Sequence, residues 1–277
     1  TLWVFFFPFS IFLIPLLNYL KINYKNKNVF FLIAWIFPCL ILLEIIPTKL
    51  PHYILPIYPA LAIVMSKLIS DFNINNKLFY TKAAYLGYII YFIISNGLIF
   101  LILHAGFTFA EVDIYLILSV VILLLLNNFV FFLIFIKNIK YTFFYLVGFS
   151  NIFILIIFLF VLPSYNKLWL SKNISNILKE NYYQENRSTL AILGYNEPSI
   201  IFELGTETKV YYEINSLIKN FNSYDYLIIE KNYYMKFKEI VKDENLRYNK
   251  IFKIKGYNGA KGKWMEIFII KKSKNRK

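Results

Sequence analysis

Between Leu2 and Leu162 apolar runs of membrane-crossing length follow one another, and no other feature of the sequence limits the possible folds so strongly. A helix rises about 1.5 Å per residue, so a hydrocarbon core of about 30 Å takes about 20 apolar residues to cross. Six stretches approach that length: Leu2 to Leu20, Val29 to Ile46, a shorter proline-interrupted run from Tyr53 to Met65, Ala83 to Leu103, Ile114 to Ile136 and Phe143 to Leu162. The third is the weakest. Polar residues are distributed to match: residues 1–162 hold four acidic side chains (Glu44, Asp71, Glu111, Asp113) and nine lysines, and the remaining residues hold the other twelve acids and twenty-one bases. The expected fold is a membrane all-α region of about six transmembrane helices over 1–162, followed by a small soluble α/β domain with a mixed sheet over 163–277.

Short loops rich in lysine stay in the cytoplasm. Lys21, Lys25 and Lys27 follow the first stretch, Lys67, Lys77 and Lys82 the third, and Lys137 and Lys140 the fifth. The loop after the second contains Lys49 alone, and the loop after the fourth has no base. The alternation puts residues 163–277 on the outer face, the periplasm of a bacterium. A net charge of +14 would suggest nucleic acid in a soluble protein; spread over membrane loops and a lysine-rich tail it does not, and no nucleic-acid partner is expected. The single cysteine, Cys39, excludes an intrachain disulfide and argues against a cysteine-based metal site. The first residues are already membrane-like, with neither a charged leader nor a cleavage site. The chain therefore reads as the C-terminal half of something longer.

Polar residues inside the apolar runs divide into two kinds. Asn96, Asn127 and Asn128 read as interhelical hydrogen-bonding groups. Glu44, near the outer end of the second stretch, is either a functional carboxylate or a water-exposed one that snorkels out of the bilayer.

The tail opens with an amphipathic helix on Leu170, Ile174, Ile177 and Leu178. The runs 189–193, 197–204, 208–212, 215–221, 224–230 and 233–243 then follow a βαβαβα order. Two alternating strands close the chain around a glycine-rich basic turn at Gly256 to Lys263, a hairpin pattern. GYNEPS at 194–199 places Asn196 as a cap and Pro198 at a helix start, where exposed amides could also hold an anion. The tail has no histidine, dinucleotide-binding or phosphate-loop glycine pattern, metal-ligand cluster or nucleophile triad. No cofactor and no catalytic residue is assigned in this chain.

The most informative stretch is EIIPTKLPHYILPIYPALAI, residues 44–63. Pro51, Pro56 and Pro59 remove backbone donors from the mouth of a membrane helix, which is tolerated where protein or water satisfies the freed carbonyls. Lys49, His52, Tyr53 and Tyr58 cluster there. They fit a pocket for a lipid phosphate, with lysine as a compact point charge; they equally fit interfacial anchors that snorkel toward headgroups.

TKLPHYILPIYPALAI resembles the KLPHY-type signature of the bacterial polyprenyl-phosphate-sugar glycosyltransferases, the family of aminoarabinose transferases and of enzymes like the dolichyl-phosphate-mannose protein mannosyltransferases. GYNEPSIIFELGT (194–206) and KGYNGAKGKWMEIFII (255–270) resemble that family's periplasmic domain and its closing hairpin, in the same order. The resemblance implies a GT-C-type integral-membrane enzyme of the bacterial inner membrane. Such an enzyme moves a sugar from a polyprenyl-phosphate carrier to a lipid A, glycan or protein acceptor at the periplasmic face. It further implies Lys49, His52 and Tyr53 at the lipid phosphate, with Glu44 and Tyr58 as possible pocket residues. The partners implied are the lipid-linked sugar donor, membrane lipid and a missing N-terminal half bearing the catalytic acidic loop, so that the chain alone is expected to be inactive. The competing expectation is a non-enzymatic transporter or scaffold half with a soluble extracytoplasmic domain. No internal repeat between the first and last three stretches favours a transporter.

Overall fold

In the computed structural model the described residues are 2–47, 51–70, 76–111, 113–181, 189–243 and 247–273. The chain divides into two compact units, Thr1–Ala105 with Val112–Pro163, and Gly106–Glu111 with Ser164–Lys277.

Five helical segments of the described residues are long and apolar enough to cross a membrane: Lys27–Ile45, His52–Ser70, Lys82–Phe109, Ile114–Phe135 and Ile139–Ser164. The expected count of six is thus not met. The first stretch, Leu2 to Leu20, is broken into a helical turn at Leu2–Phe5, a 3-10 turn at Phe9–Phe12 and helix α1 at Leu13–Asn23. Pro8 has no N–H to continue a helix across the break, whereas Pro15 lies in the first turn of α1, where no intrahelical bond is lost. The Tyr53 to Met65 run, expected to be weakest, is by contrast part of a full-length segment.

Helix α2 (Lys27–Ile45) is capped by Asn26, whose side chain accepts from the Asn28 amide at 2.9 Å. Helix α3 spans Tyr58–Ser70 and α4 Lys82–Phe109. Helix α5 (Ile114–Phe135) is capped by Asp113, which accepts from the Leu116 amide at 2.8 Å. Helix α6 (Ile139–Ile156) is capped by Asn138 and continues through a π-helical turn at Ile157–Val161. Caps of this kind satisfy donors that a helix start leaves open. Between α4 and α5, Asn96 and Asn128 exchange amide hydrogen bonds at 3.0 and 3.3 Å. Beside them, buried Tyr91 donates to Asn127 Oδ1 at 2.8 Å, and Asn127 Nδ2 donates to Ser95 Oγ at 3.0 Å. Phe12, Leu16, Ile57, Leu61, Leu68 and Phe149 are buried in the same apolar core.

The second unit is a five-stranded mixed sheet between two helical layers. Its elements are α7 (Leu170–Asn181), β1 (Leu190–Leu193), α8 (Pro198–Leu204), β2 (Lys209–Tyr211), α9 (Ile214–Lys219), β3 (Tyr226–Glu230), α10 (Lys231–Asp243), β4 (Tyr248–Asn258) and β5 (Lys263–Lys272). The strand order is β2-β1-β3-β5-β4, with β1 parallel to both β2 and β3, and β5 antiparallel to β3 and β4. Alternation along β1 sends Leu190 and Ile192 to the face covered by α7 and α8, and Ala191 and Leu193 to the face covered by α9 and α10. Phe109, in the Gly106–Glu111 part of this unit, stacks on Trp264 with ring centroids 5.8 Å apart.

Two local expectations change. Gly256 is not in the hairpin turn but inside β4, where a Cβ would come within 2.9 Å of the Leu170 side chain and 3.0 Å of the Lys167 carbonyl. The N-cap of α8 is Glu197 rather than Asn196, and its side chain makes no capping bond; Pro198 does occupy the first turn.

Candidate functional site

From Pro51 to Ile57 the backbone is a 3-10 helix, which becomes α-helical at Tyr58. The tighter coil repeats every three residues, so Ile54 and Ile57 both turn into the core while Leu55 and Pro56 stay exposed. With no N–H on Pro59, the carbonyl of Pro56 lacks its 3-10 donor. Trp35 of α2 supplies a replacement, its Nε1–H lying 3.1 Å from Pro56 O. The proline-broken entrance is thus held by a side chain twenty-one residues earlier.

Lys49 lies outside the described residues. His52 is exposed and meets the half-buried Tyr53 ring edge to face, centroids 4.7 Å apart and planes at 81°. Tyr58 is half-buried and its hydroxyl donates to the carbonyl of Phe5. Tyr58 also lines an apolar cavity of about 440 Å³ walled by Phe5, Phe7, Phe9, Met65 and Phe143, among others. Among the described residues, Glu44, His52 and Tyr53 are not part of its wall. Glu44 is exposed on the last turn of α2. The structure therefore joins Tyr58 to a phenylalanine-lined hollow and pairs His52 with Tyr53. Trp35 and Phe5 were missed by sequence reasoning: a distant indole and a backbone carbonyl leave no local pattern.

A second polar cluster forms around GYNEPS. Buried Tyr195 and Ser171 have their hydroxyl oxygens 2.7 Å apart, and Ser171 is also 2.7 Å from Ser199. Tyr195 donates to Glu197 Oε2 at 3.1 Å, as does Ser199 at 3.3 Å. Glu197 Oε1 is buried without a partner among the described residues. Burial pushes the Tyr195 phenol up to about 12; the Ser171 hydroxyl works against the rise and the Glu197 carboxylate adds to it. Among the described residues, no group of three or more His, Cys, Asp and Glu side chains is placed to hold a metal ion.

No protein-family profile matches the chain, and no solved structure matches it. A curated relative does: the undecaprenyl phosphate-alpha-4-amino-4-deoxy-L-arabinose arabinosyl transferase of Wigglesworthia glossinidia brevipalpis is 37% identical over 110 residues. The match takes in 39% of this chain and spans only 19% of the relative's length. The chain is thus a membrane protein by its five helices and, over that stretch, similar to an arabinosyl transferase.

Proposed function

We propose that this chain is part of an integral-membrane glycosyltransferase of a bacterial inner membrane, one that takes a sugar from a polyprenyl-phosphate carrier and delivers it to a lipid A, glycan or protein acceptor. The observation carrying this reading is the 37% identity to a transferase whose name specifies an undecaprenyl-phosphate donor. The local chemistry agrees with it. A helix entrance broken by Pro56 and Pro59, with His52 and Tyr53 beside it, suits a phosphate headgroup at the membrane boundary. The phenylalanine-lined cavity under Tyr58 suits branched hydrocarbon.

In this reading Lys49 is the cation for the carrier phosphate, His52 and Tyr53 shape the headgroup pocket, and Glu44 and Tyr58 border it. Asp113 caps α5 with its carboxylate and is given no role in the transfer. The acidic residue acting on the acceptor comes from another part of the enzyme, and this chain supplies the donor-phosphate side. The lysine-bearing loops before Lys27–Ile45, after His52–Ser70 and after Ile114–Phe135 fall on one side of a five-span arrangement, so residues 163–277 belong to the opposite, periplasmic side.

The test is donor binding and sugar transfer by the 277-residue chain in lipid nanodiscs, using a polyprenyl-phosphate sugar labelled in the sugar. Binding without transfer is expected. Lys49→Ala should weaken binding about tenfold to a hundredfold, the worth of one charge-assisted phosphate contact. Unchanged donor affinity in that variant, or no donor binding at all, contradicts the assignment; transfer by the isolated chain contradicts the division of labour.

A further inference from the structure

We infer that the soluble unit carries a ligand site of its own, a crevice at the C-terminal ends of β1 and β3 that binds a phosphorylated carbohydrate. It stands independently of the transferase reading and of the membrane unit.

The crevice follows from topology. β1 and β3 are parallel neighbours in register from Leu190↔Tyr226 to Leu193↔Ile229. The chain leaving β1 turns to one face of the sheet, where Ile200 and Leu204 of α8 pack, and the chain leaving β3 turns to the other, where Phe237 and Val241 of α10 pack. Two adjacent parallel strands whose following helices diverge leave a gap beyond their carboxyl ends, the usual ligand position in open α/β sheets. Here that gap is a cavity of about 490 Å³.

Gly194 and Glu230, the residues at the two strand ends, line the cavity. Gly194 has φ +86°, and a Cβ on it would lie 2.6 Å from the Tyr233 ring and 2.9 Å from Glu230 Cβ. Only a residue without a side chain lets the backbone close down on these two groups. Glu230 is 6% exposed, and its Oε1 accepts from Asn232 Nδ2 at 3.0 Å. A carboxylate has about four acceptor positions, so one amide leaves acceptor capacity on a residue that lines the crevice. Burying such a group is costly without further donors. The hydroxyls of a sugar are donors of that kind, and Asn196, also in the lining, adds an amide that can both donate and accept.

The opposite chemistry is present too. Lys236, Lys261 and Lys263 line the same cavity, and among the described residues none of them forms a salt bridge. The acid of the neighbouring sheet surface, Glu266, is instead taken by Lys231 at 3.1 Å and Lys253 at 3.0 Å. Three cations around a buried carboxylate call for a ligand that is anionic at one part and rich in hydroxyls at another. Tyr211, Tyr212 and Tyr233 provide ring faces for the apolar side of a pyranose. A plain anion would leave Glu230 repelled, and a neutral sugar would leave the lysines unused.

The test uses the full chain in nanodiscs, titrated calorimetrically with glucose 1-phosphate, inorganic phosphate and glucose, and separately assembled with a phosphorylated glycolipid in the bilayer. Saturable binding of the sugar phosphate, at least about tenfold tighter than of inorganic phosphate or glucose, is expected. Binding of the glycolipid alone would identify a lipid headgroup as the source of the same chemistry. Glu230→Gln keeps the shape and the Asn232 contact region; it should lose about tenfold toward the sugar phosphate and bind inorganic phosphate no more weakly, because the repelling charge is gone. Tyr212→Ala, at a 71% exposed position, should also weaken the sugar phosphate. No saturable binding of either phosphorylated ligand up to about 10 mM overturns the proposal. So does binding of inorganic phosphate equal to that of the sugar phosphate and indifferent to Glu230→Gln, which would mark a lysine patch and nothing more.

Discussion

Trp35 and Pro56 are joined by a 3.1 Å hydrogen bond from the indole Nε1–H to the prolyl carbonyl. That carbonyl lost its regular donor to Pro59, so the indole acts as the missing backbone N–H of a broken helix entrance. Trp35→Phe keeps an aromatic ring against Phe31 and removes the donor together with part of the ring volume. The variant should lose about 1 kcal/mol of stability in detergent, and should loosen donor binding if the Pro51–Ile57 turn holds the headgroup. A melting temperature equal to that of a Phe30→Leu control, at a 60% exposed position, would show that the bond contributes nothing.

The paired amides of Asn96 and Asn128 invite a double-mutant cycle. Each also donates to a carbonyl of its own helix, Phe92 for Asn96 and Leu124 for Asn128, so neither is wholly stranded when its partner is removed. Replacing each by leucine, singly and together, should give a coupling energy near about 0.6 kcal/mol and no more than about 1.7, the range for polar pairs between membrane helices. Additive losses in thermal unfolding would mean that the two amides serve their own helices alone.

What could be read in advance follows the range of the physics involved. Membrane helices were legible because hydrocarbon demands a long apolar run whatever the tertiary contacts. The βαβαβα order was legible because TLAIL and YDYLIIE are short, apolar and bounded by polar residues. Hydropathy cannot register a break that keeps every residue apolar, so the interruption after Phe5 and at Pro8 went unseen in Leu2 to Leu20. Gly256 looked like a turn residue because its reason, the approach of Leu170, comes from a helix some eighty residues earlier. In the proline-rich motif the sequence picks out His52, Tyr53 and Tyr58 together, and the fold separates them: His52 meets Tyr53, whereas Tyr58 lines the apolar cavity. Trp35 and the Phe5 carbonyl were not legible, since both act across the fold; Lys49 lies outside the described residues.

Gly194→Ala should destabilise the sheet-bearing unit by more than about 2 kcal/mol, combining the cost of a side chain at positive φ with a steric clash. The clash has two parts, the Tyr233 ring at 2.6 Å and Glu230 Cβ at 2.9 Å. Tyr233→Ala removes only the first. Adding it to Gly194→Ala should therefore recover part of the loss and not all of it. Full recovery would assign the whole penalty to the ring, and no penalty in the single variant would mean that the strand end adjusts freely.

Tyr195 sets a pH dependence whose sign can be worked out. Its phenol is raised by burial from its ordinary 10.0 to about 12 in the fold. Between those values the unfolded chain releases this proton while the folded one retains it, so stability is intact below about 10 and is lost as pH rises toward about 12. Tyr224 and Tyr248 are also pushed up to about 12, chiefly by burial with help from Tyr211 and Tyr234 respectively, and lysines titrate in the same window. The informative quantity is therefore the difference between the natural chain and Tyr195→Phe. At about pH 8 the variant should be less stable by about 1 kcal/mol, having lost its contacts to Ser171 and Glu197. By about pH 12 that deficit should shrink or reverse, because only the natural chain must keep a buried phenol protonated or expose its charge. A deficit constant from about pH 8 to 12 would mean that the phenol ionises as it does in water, and that the Ser171 and Glu197 network does not hold its proton.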